Sequence, residues 1–198
     1  MPRKMHWGYY VAGGAASFLV IRPLLVPGRI VSVAEGEVGN AYQDKYGAAT
    51  NWCAVFAGWV VERAARSLGY GTPSWRYENG KPVAGAKRLV VRAAEAGQWI
   101  AKDGRLLATP RAGDLMSLDR GAEGSWQGHV VIITRYNDGV VEHISGNAGG
   151  SPSRVKKGRG TLADMRLEAI ARPDIANTGL SKLALTGAIS YGAYRLLR

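Results

Sequence analysis

The clearest hydrophobic pattern in the chain lies in the stretch TNWCAVFAGWVVERAARSLGYG, residues 50–71. Apolar side chains recur there at helical spacing and form one stripe, whose members are Cys53, Phe56, Ala57, Val60, Ala64 and Leu68. Thr50 or Asn51 is a suitable N-cap, and Gly69 is a suitable C-terminal stop. The pattern therefore predicts an amphipathic helix that faces a core.

A different pattern, rich in apolar and β-branched residues, predicts three strands further along the chain. They are AGDLMSL at 112–118, GHVVIITRY at 128–136 and VVEHISGN at 140–147. Asn137-Asp138-Gly139 is a strong turn signal, so the last two strands form a hairpin. Gly113-Asp114 is interpreted as structural, with Asp114 closing the turn before the first of these strands.

The hairpin register places a histidine beside an amide. A three-residue loop would pair Tyr136 with Val140 and, in the same register, His129 with Asn147. Cross-strand partners lie about 4.5–5.5 Å apart at Cβ, on the same face. A histidine with an orienting amide is what a cysteine–histidine mechanism requires, although a lone histidine is more often structural.

The same register argues against two other partners for His129. Glu142 would face Thr134 on the other side of the sheet, and His143 would face Ile133, about 13 Å from the His129 end. A two-residue loop would shift this pairing by one residue.

The chain contains one cysteine, which excludes an intrachain disulfide and a cysteine-based metal cluster. A lone cysteine is more often an inert buried residue than a nucleophile. Cys53, however, falls in the first turn of the predicted helix, where free backbone N–H groups and the helix dipole favour an anion. This position is expected to lower the pKa of the thiol and to make it a better nucleophile.

Composition and charge then narrow the class of partner. The 198 residues are 46% hydrophobic and carry a formal net charge of +11, with a pI of about 10.0. Such a charge suits nucleic acid, a membrane surface or the bacterial envelope. No nucleic-acid-binding motif is recognisable, so no specific nucleic acid is expected and the envelope is favoured.

Both ends of the chain are apolar and basic, and they divide it into three regions. Residues 1–29 form an N-terminal segment, 30–173 the folded domain and 174–198 an apolar C-terminal helix or tail. The N-terminal stretch resembles a signal sequence or a weak membrane anchor, and residues 7–27 and 180–198 could contact a membrane or a virion protein. The alternative for the N-terminal stretch is a buried helix lying against the domain.

Four motifs in order, NWCAVFAGWVVERA, PRAGDLMSL, GHVVIITRY and ISGNAGG, resemble the CHAP family of cysteine amidases and peptidases. The resemblance covers about residues 30–173. It implies an α+β, papain-like fold, in which N-terminal helices carrying the cysteine pack on a small antiparallel sheet carrying the histidine and the asparagine. Many members have Glu-Gly-Asn after the histidine strand, where this chain has Ser145-Gly146-Asn147; it is similar to the subset with Gly-Gly-Asn.

The resemblance implies Cys53 as nucleophile, His129 as base and Asn147 as the residue that orients the base. Asn51 and Gln127 are candidates for the oxyanion site on sequence proximity alone. Trp52, Trp126 and Tyr42 are candidates for a substrate groove, although such aromatics are more often core residues. Neither a metal nor a cofactor is expected.

The sequence therefore predicts a peptidoglycan hydrolase that cleaves either the N-acetylmuramoyl-L-alanine amide or an amide of the peptide bridge. A phage lysin or a virion-associated lysin, acting in the cell envelope or periplasm or carried in a virion, is the expected setting. The alternative is a catalytically inactive CHAP-like module that serves as a structural or docking part of a virion or envelope assembly. A basic nucleic-acid binder is the third and weakest interpretation.

Overall fold

The computed structural model of the protein describes residues 25–41, 52–122, 125, 127–149 and 152–175. The predicted apolar segments therefore lie outside the described residues, apart from residues 25–27. No helix in the described ranges is long and apolar enough to cross a membrane.

Three α-helices precede most of the strands. They are α1 (residues 25–35), α2 (Cys53–Ser67) and α3 (Ala86–Ala96), with a short 3-10 helix at Ser74–Arg76. The strands are β1 (Tyr77–Glu78), β2 (Lys81–Pro82), β3 (Gln98–Lys102), β4 (Arg105–Leu106), β5 (Leu115–Asp119), β6 (Gly128–Asn137), β7 (Val140–Ala148), β8 (Arg154–Thr161) and β9 (Leu167–Arg172).

Seven of the strands form one antiparallel sheet in the order β4-β3-β9-β5-β6-β7-β8. Helices α2 and α3 pack on β6, and α2 also packs on β7. Alternate residues of β6 divide between two apolar layers, with Val130 and Ile132 facing the helices and Val131 and Ile133 facing the opposite layer. Helices on one face of an antiparallel sheet confirm the predicted α+β class.

Helix α1 belongs to the core. Val26, Ile30 and Ala34 recur every four residues and are all buried, so one stripe of the helix faces the domain. The helix crosses the boundary that the sequence suggested between residues 29 and 30.

Helix α2 begins one residue later than its capping signals suggested. Its N-cap is Trp52, with no side-chain cap, so the prediction of Thr50 or Asn51 as N-cap was wrong. The Trp52 ring is buried and its Nε1 donates to Ser153 Oγ at 3.1 Å, so tertiary packing fixes this end of the helix. The predicted stop at Gly69 is confirmed by its φ of +77°.

The β6–β7 hairpin has a two-residue loop, not the three-residue loop that the sequence suggested. Asn137 pairs with Val140, and Asp138 and Gly139 both have positive φ, as expected for the turn that suits a twisted hairpin. Glu142 consequently pairs with Arg135, and its predicted pairing with Thr134 was wrong.

An irregularity between Ile133 and Arg135 then restores the predicted register. Ile133 pairs with His143, as the sequence suggested, and Ile132 pairs with Ile144. One extra residue in a strand shifts its pairing by one, so the bulge cancels the effect of the shorter loop. The predicted pairing of His129 with Asn147 continues this register beyond Ile144.

Gly146 is the point at which β7 and α2 approach most closely. A Cβ at this position would lie 2.7 Å from Trp52 Cε3 and 2.8 Å from Phe56 Cβ, which is nearer than real Cβ contacts. The aromatic rings of Trp52 and Phe56 also meet edge to face, 6.1 Å apart. Only glycine at position 146 therefore leaves room for the first turn of α2 to pack on the sheet.

We expect Gly146→Ala to lower the free energy of unfolding by about 1–3 kcal/mol, because a methyl group there overpacks a buried contact. Gly28→Ala is the matched control, since nothing lies within 4 Å of its Cβ and alanine favours a helix. Urea unfolding followed by circular dichroism measures both. Equal stability of the two variants would contradict this view of the α2–β7 contact.

Candidate active site

Cys53 is the first residue of α2 and is only 4% exposed. Its thiol receives hydrogen bonds from the backbone N–H groups of Val130 and Ala54, which lower its pKa. Val130 follows His129 directly in β6, so the contact of the cysteine with the sheet falls beside the predicted base.

One cavity of about 330 Å³ gathers most of the predicted site. Its lining consists of Cys53, Ala84, Gly85, Ala86, Arg120, Gln127, Gly128, His129 and Asn147. The fold thus brings together the three residues predicted for catalysis, and it places Gln127 beside them. The three come from α2, β6 and β7, whereas Ala84–Ala86 lead into α3.

Of the residues predicted for a substrate groove, the structure describes only Trp52. Trp52 is 2% exposed and packs in the core against Gly146 and Phe56, so its assignment to a substrate groove was wrong. A side chain that fixes the start of α2 cannot also present a face to a ligand. Asn51, Trp126 and Tyr42 lie outside the described residues.

Burial governs the protonation state of Cys53. Desolvation raises the pKa of the thiol, and this effect exceeds the lowering by the backbone N–H groups and by the positive charge of Arg120. The expectation that the helix N-terminus leaves the thiol with a lowered pKa was therefore wrong. The helix does contribute, but a thiol this deeply buried remains protonated at neutral pH.

His129 is also held neutral. Burial, and to a smaller extent the positive charge of Arg120 and the proximity of His143, together lower its pKa to about 3. At pH 7 the site therefore combines a neutral thiol with a neutral imidazole. The thiol has a proton to give, and the imidazole is free to accept one.

Asn147 occupies an irregular part of β7. Its φ is +56°, a left-handed conformation that asparagine tolerates better than most residues, and the β7–β8 register shifts between Ser145 and Ala148. The bulge interrupts the alternation of side chains along the strand, and Asn147 lines the same cavity as Cys53. Ser145, at the position of the glutamate found in many relatives, lines a second cavity instead.

This second cavity, of about 540 Å³, shares His129 and Arg120 with the first. His143 and Ser145 also contribute to it. His143 pairs with Ile133, away from His129, as the sequence predicted, but its side chain still lowers the pKa of His129.

Arg120 is the site residue that sequence reasoning missed. It follows β5 directly, and its backbone N–H donates to the carbonyl oxygen of Gln127 at 3.2 Å. Because Leu118 pairs with His129, residue 120 lies across from residue 127 at the same end of the sheet. Only the β5–β6 register could have revealed the position of Arg120. The sequence of residues 120–127 contains no turn motif that would fix this register.

No group of three or more His, Cys, Asp or Glu side chains within the described ranges is arranged to hold a metal ion. The cavity places the Cys53 thiol beside the His129 imidazole, with an amide and a guanidinium nearby.

The raised thiol pKa predicts how fast Cys53 reacts with iodoacetamide. The rate should keep rising through pH 9, because the thiolate fraction at pH 7 is below about 3% when the pKa exceeds that of a free cysteine. The urea-unfolded chain is the control, and Cys53 is its only thiol. A rate that is already at a plateau at pH 7 would show a preformed thiolate–imidazolium pair instead.

Comparisons with known proteins agree with the resemblance drawn from the motifs. The family model described as CHAP domain matches residues 42–147, more than half of the chain.

The crystal structure of Ly7917 is similar at 17% identity and a TM-score of 0.49, covering 74% of this chain and 62% of that one. The structure of Ly7917 with the hydrolyzing product of MDP gives 16% identity, a TM-score of 0.49 and the same coverage. This chain thus spans about three fifths of the length of those structures. A comparison with proteins of curated function finds no match. On the family match, the chain belongs to the CHAP domain family.

Proposed function

We propose that the protein hydrolyses an amide bond of bacterial peptidoglycan, with Cys53 as nucleophile and His129 as base. The observation that carries the proposal is the meeting of α2 with β6: the Cys53 sulfur accepts a hydrogen bond from Val130, directly after His129. Both side chains line one cavity with Asn147. Membership of a family of cysteine amidases and peptidases supports the same chemistry.

The first step follows from the two neutral groups. His129 accepts the proton of the Cys53 thiol as the sulfur forms a bond to the substrate carbonyl carbon, and the carbonyl oxygen takes up the negative charge. The backbone N–H of Cys53 lies at the start of α2 and lowers the pKa of its own thiol, so it is close to the reacting sulfur. It is the first candidate to hold the oxyanion, and Gln127 is the second.

The remaining steps return the enzyme to its starting state. The carbon–nitrogen bond breaks as His129 delivers its proton to the leaving amine, which leaves a thioester on Cys53. Water then attacks the thioester, giving one proton to His129 as the carbon–sulfur bond breaks. That proton returns to the sulfur, and the product departs as the carboxylic acid, which loses its remaining proton to solvent as the neutral pair is restored.

Asn147 is assigned the role of positioning His129. A neutral imidazole has one donor and one acceptor nitrogen, and an amide oxygen can hold the N–H so that the other nitrogen faces the thiol. The proposal places the enzyme at the bacterial envelope, as a lysin of phage or virion origin, and the net charge of +11 favours approach to an anionic wall. The scissile bond is either the glycan–peptide amide or an amide of the peptide bridge.

We expect Cys53→Ala to abolish clearing of purified peptidoglycan sacculi, with a loss of at least about 1,000-fold in rate, because the nucleophile is removed. Mass spectrometry of the fragments released by the wild type identifies the bond that is cut. Circular dichroism confirms that the variant is folded. If the folded wild type leaves sacculi intact, the protein is a docking module; if both proteins clear them, Cys53 is not the nucleophile.

Asn147→Gly tests the positioning role without imposing backbone strain, since glycine accepts a φ of +56° freely. We expect kcat to fall about 10–100-fold with KM nearly unchanged, a smaller loss than that caused by His129→Ala. Asn147→Gln keeps the amide and should restore part of the rate. Unchanged kcat in the folded glycine variant would remove Asn147 from the mechanism.

A further inference from the structure

Arg120 occupies the wall that the two cavities share. It is exposed at the end of β5 and is held there by its backbone hydrogen bond to Gln127. It lines the cavity of Cys53 and Asn147 on one side and that of His143 on the other. The proposed mechanism gives this guanidinium no role.

Three further lysines and arginines line the second cavity; Lys157 and Arg166 are paired with carboxylates, and the third is Lys156. Lys87 and Arg166 pair with Asp119 at 2.9 and 3.0 Å, and Lys157 pairs with Glu35 at 3.1 Å. The remaining carboxylate of the second cavity, Asp164, accepts a hydrogen bond from the Thr161 hydroxyl at 2.6 Å.

Arg120 differs from Lys157 and Arg166 in its pairing, and from Lys156 in that it also lines the cavity of Cys53. Within the part of the chain that the structure describes, no carboxylate lies within 4.0 Å of its guanidinium. Asp119, the carboxylate next to Arg120 in the chain, is already paired with Lys87 and Arg166, so it does not neutralise the Arg120 guanidinium.

The effect of this charge extends across the whole site. It lowers the pKa of Cys53 on one side and the pKa values of His129 and His143 on the other. A guanidinium neutralised by a carboxylate would exert little of this influence. The groups around it therefore sense a positive potential that the described residues do not compensate.

We propose that Arg120 binds a free carboxylate of the substrate, next to the amide that Cys53 attacks. The inference rests on the proposed function and adds to it a preference for acidic peptides. A guanidinium presents paired N–H donors that match the two oxygens of a carboxylate. The stem peptides of bacterial walls carry free carboxylates, which wall modification converts to amides. The two forms therefore differ in the group that Arg120 would bind.

Binding of this carboxylate would also change the base. Neutralising Arg120 removes one of the influences that keep His129 a poor proton acceptor. The same neutralisation raises the pKa of the Cys53 thiol, so the two effects on proton transfer oppose each other, and acidic substrates are expected to gain chiefly in KM.

The first test requires no peptidoglycan. Cys53 is alkylated by iodoacetate, which carries a carboxylate, and by neutral iodoacetamide, in the wild type and in Arg120→Gln. The same thiolate attacks both reagents, so a change in its pKa cancels from the ratio of their rates. We expect the iodoacetate-to-iodoacetamide ratio to fall about fivefold in Arg120→Gln. Arg159→Gln, which removes an exposed charge on β8 outside both cavities, should leave it unchanged.

The second test uses purified muropeptides whose stem carboxylates are free or amidated. We expect the wild type to cleave the free form with a kcat/KM about fivefold higher or more, Arg120→Gln to lose this preference, and Arg120→Lys to keep part of it.

The two tests separate this inference from the proposed function. If the cleavage rate depends neither on amidation nor on Arg120→Gln, and the alkylation ratio is also unchanged, the carboxylate site is rejected and the proposed hydrolase activity stands. No cleavage of either form, with an alkylation ratio that depends on Arg120, overturns the hydrolase and keeps the anion site. Equal falls in the ratio for Arg120→Gln and Arg159→Gln would mean that only the net charge matters, and the specific site would be rejected.

Discussion

The close approach of α2 to β7 at Gly146 is the constraint on which the site depends. Trp52 and Phe56 lie directly over this glycine, so the first turn of the helix sits against the sheet with no room for another methyl group. This contact sets where α2 begins, in place of a side-chain cap. It also sets the depth of Cys53, whose sulfur then meets the backbone of β6 at Val130. The nucleophile is positioned by packing, and its chemistry follows from how far it is buried.

Burial and charge act in opposition at this position. The N-terminus of α2 and the Val130 amide favour a thiolate, but loss of solvent favours the thiol more strongly. The same desolvation holds His129 neutral with a pKa of about 3. A separated ion pair would therefore be unfavourable in the free protein, and charge is better created during the reaction, when substrate dipoles replace the missing water. Among the described residues that line the cavity, Arg120 alone carries a permanent charge.

The sequence was sufficient for elements whose signals are local. The stripe from Cys53 to Leu68, the stop at Gly69 and the β-branched run after His129 each predicted an element that the structure contains. The hairpin shows the limit of such reasoning. The loop length was wrong by one residue, and a bulge near Thr134 then compensated for it, so the predicted facing of His143 and Ile133 is confirmed although its premise was not. Local signals do not record how two deviations combine.

Tertiary effects account for the rest of what the sequence missed. Trp52 looked like a groove residue because it adjoins Cys53, but its ring is needed over Gly146. Arg120 looked like an ordinary residue of a loop, because only the β5–β6 register brings it beside His129. The pKa of Cys53 was misjudged because helix position can be read from sequence, whereas burial is a sum over the whole fold.

The unfavourable features of the fold bear on the choice between an enzyme and a docking module. A buried imidazole that resists protonation and an asparagine with positive φ each cost stability. A surface used only for docking gains nothing from placing them around one cavity, since apolar side chains would be more stable there. Both residues line the cavity of Cys53. Destabilising features around the one thiol of the chain are expected at a reactive site. They favour the hydrolase over the catalytically inactive module.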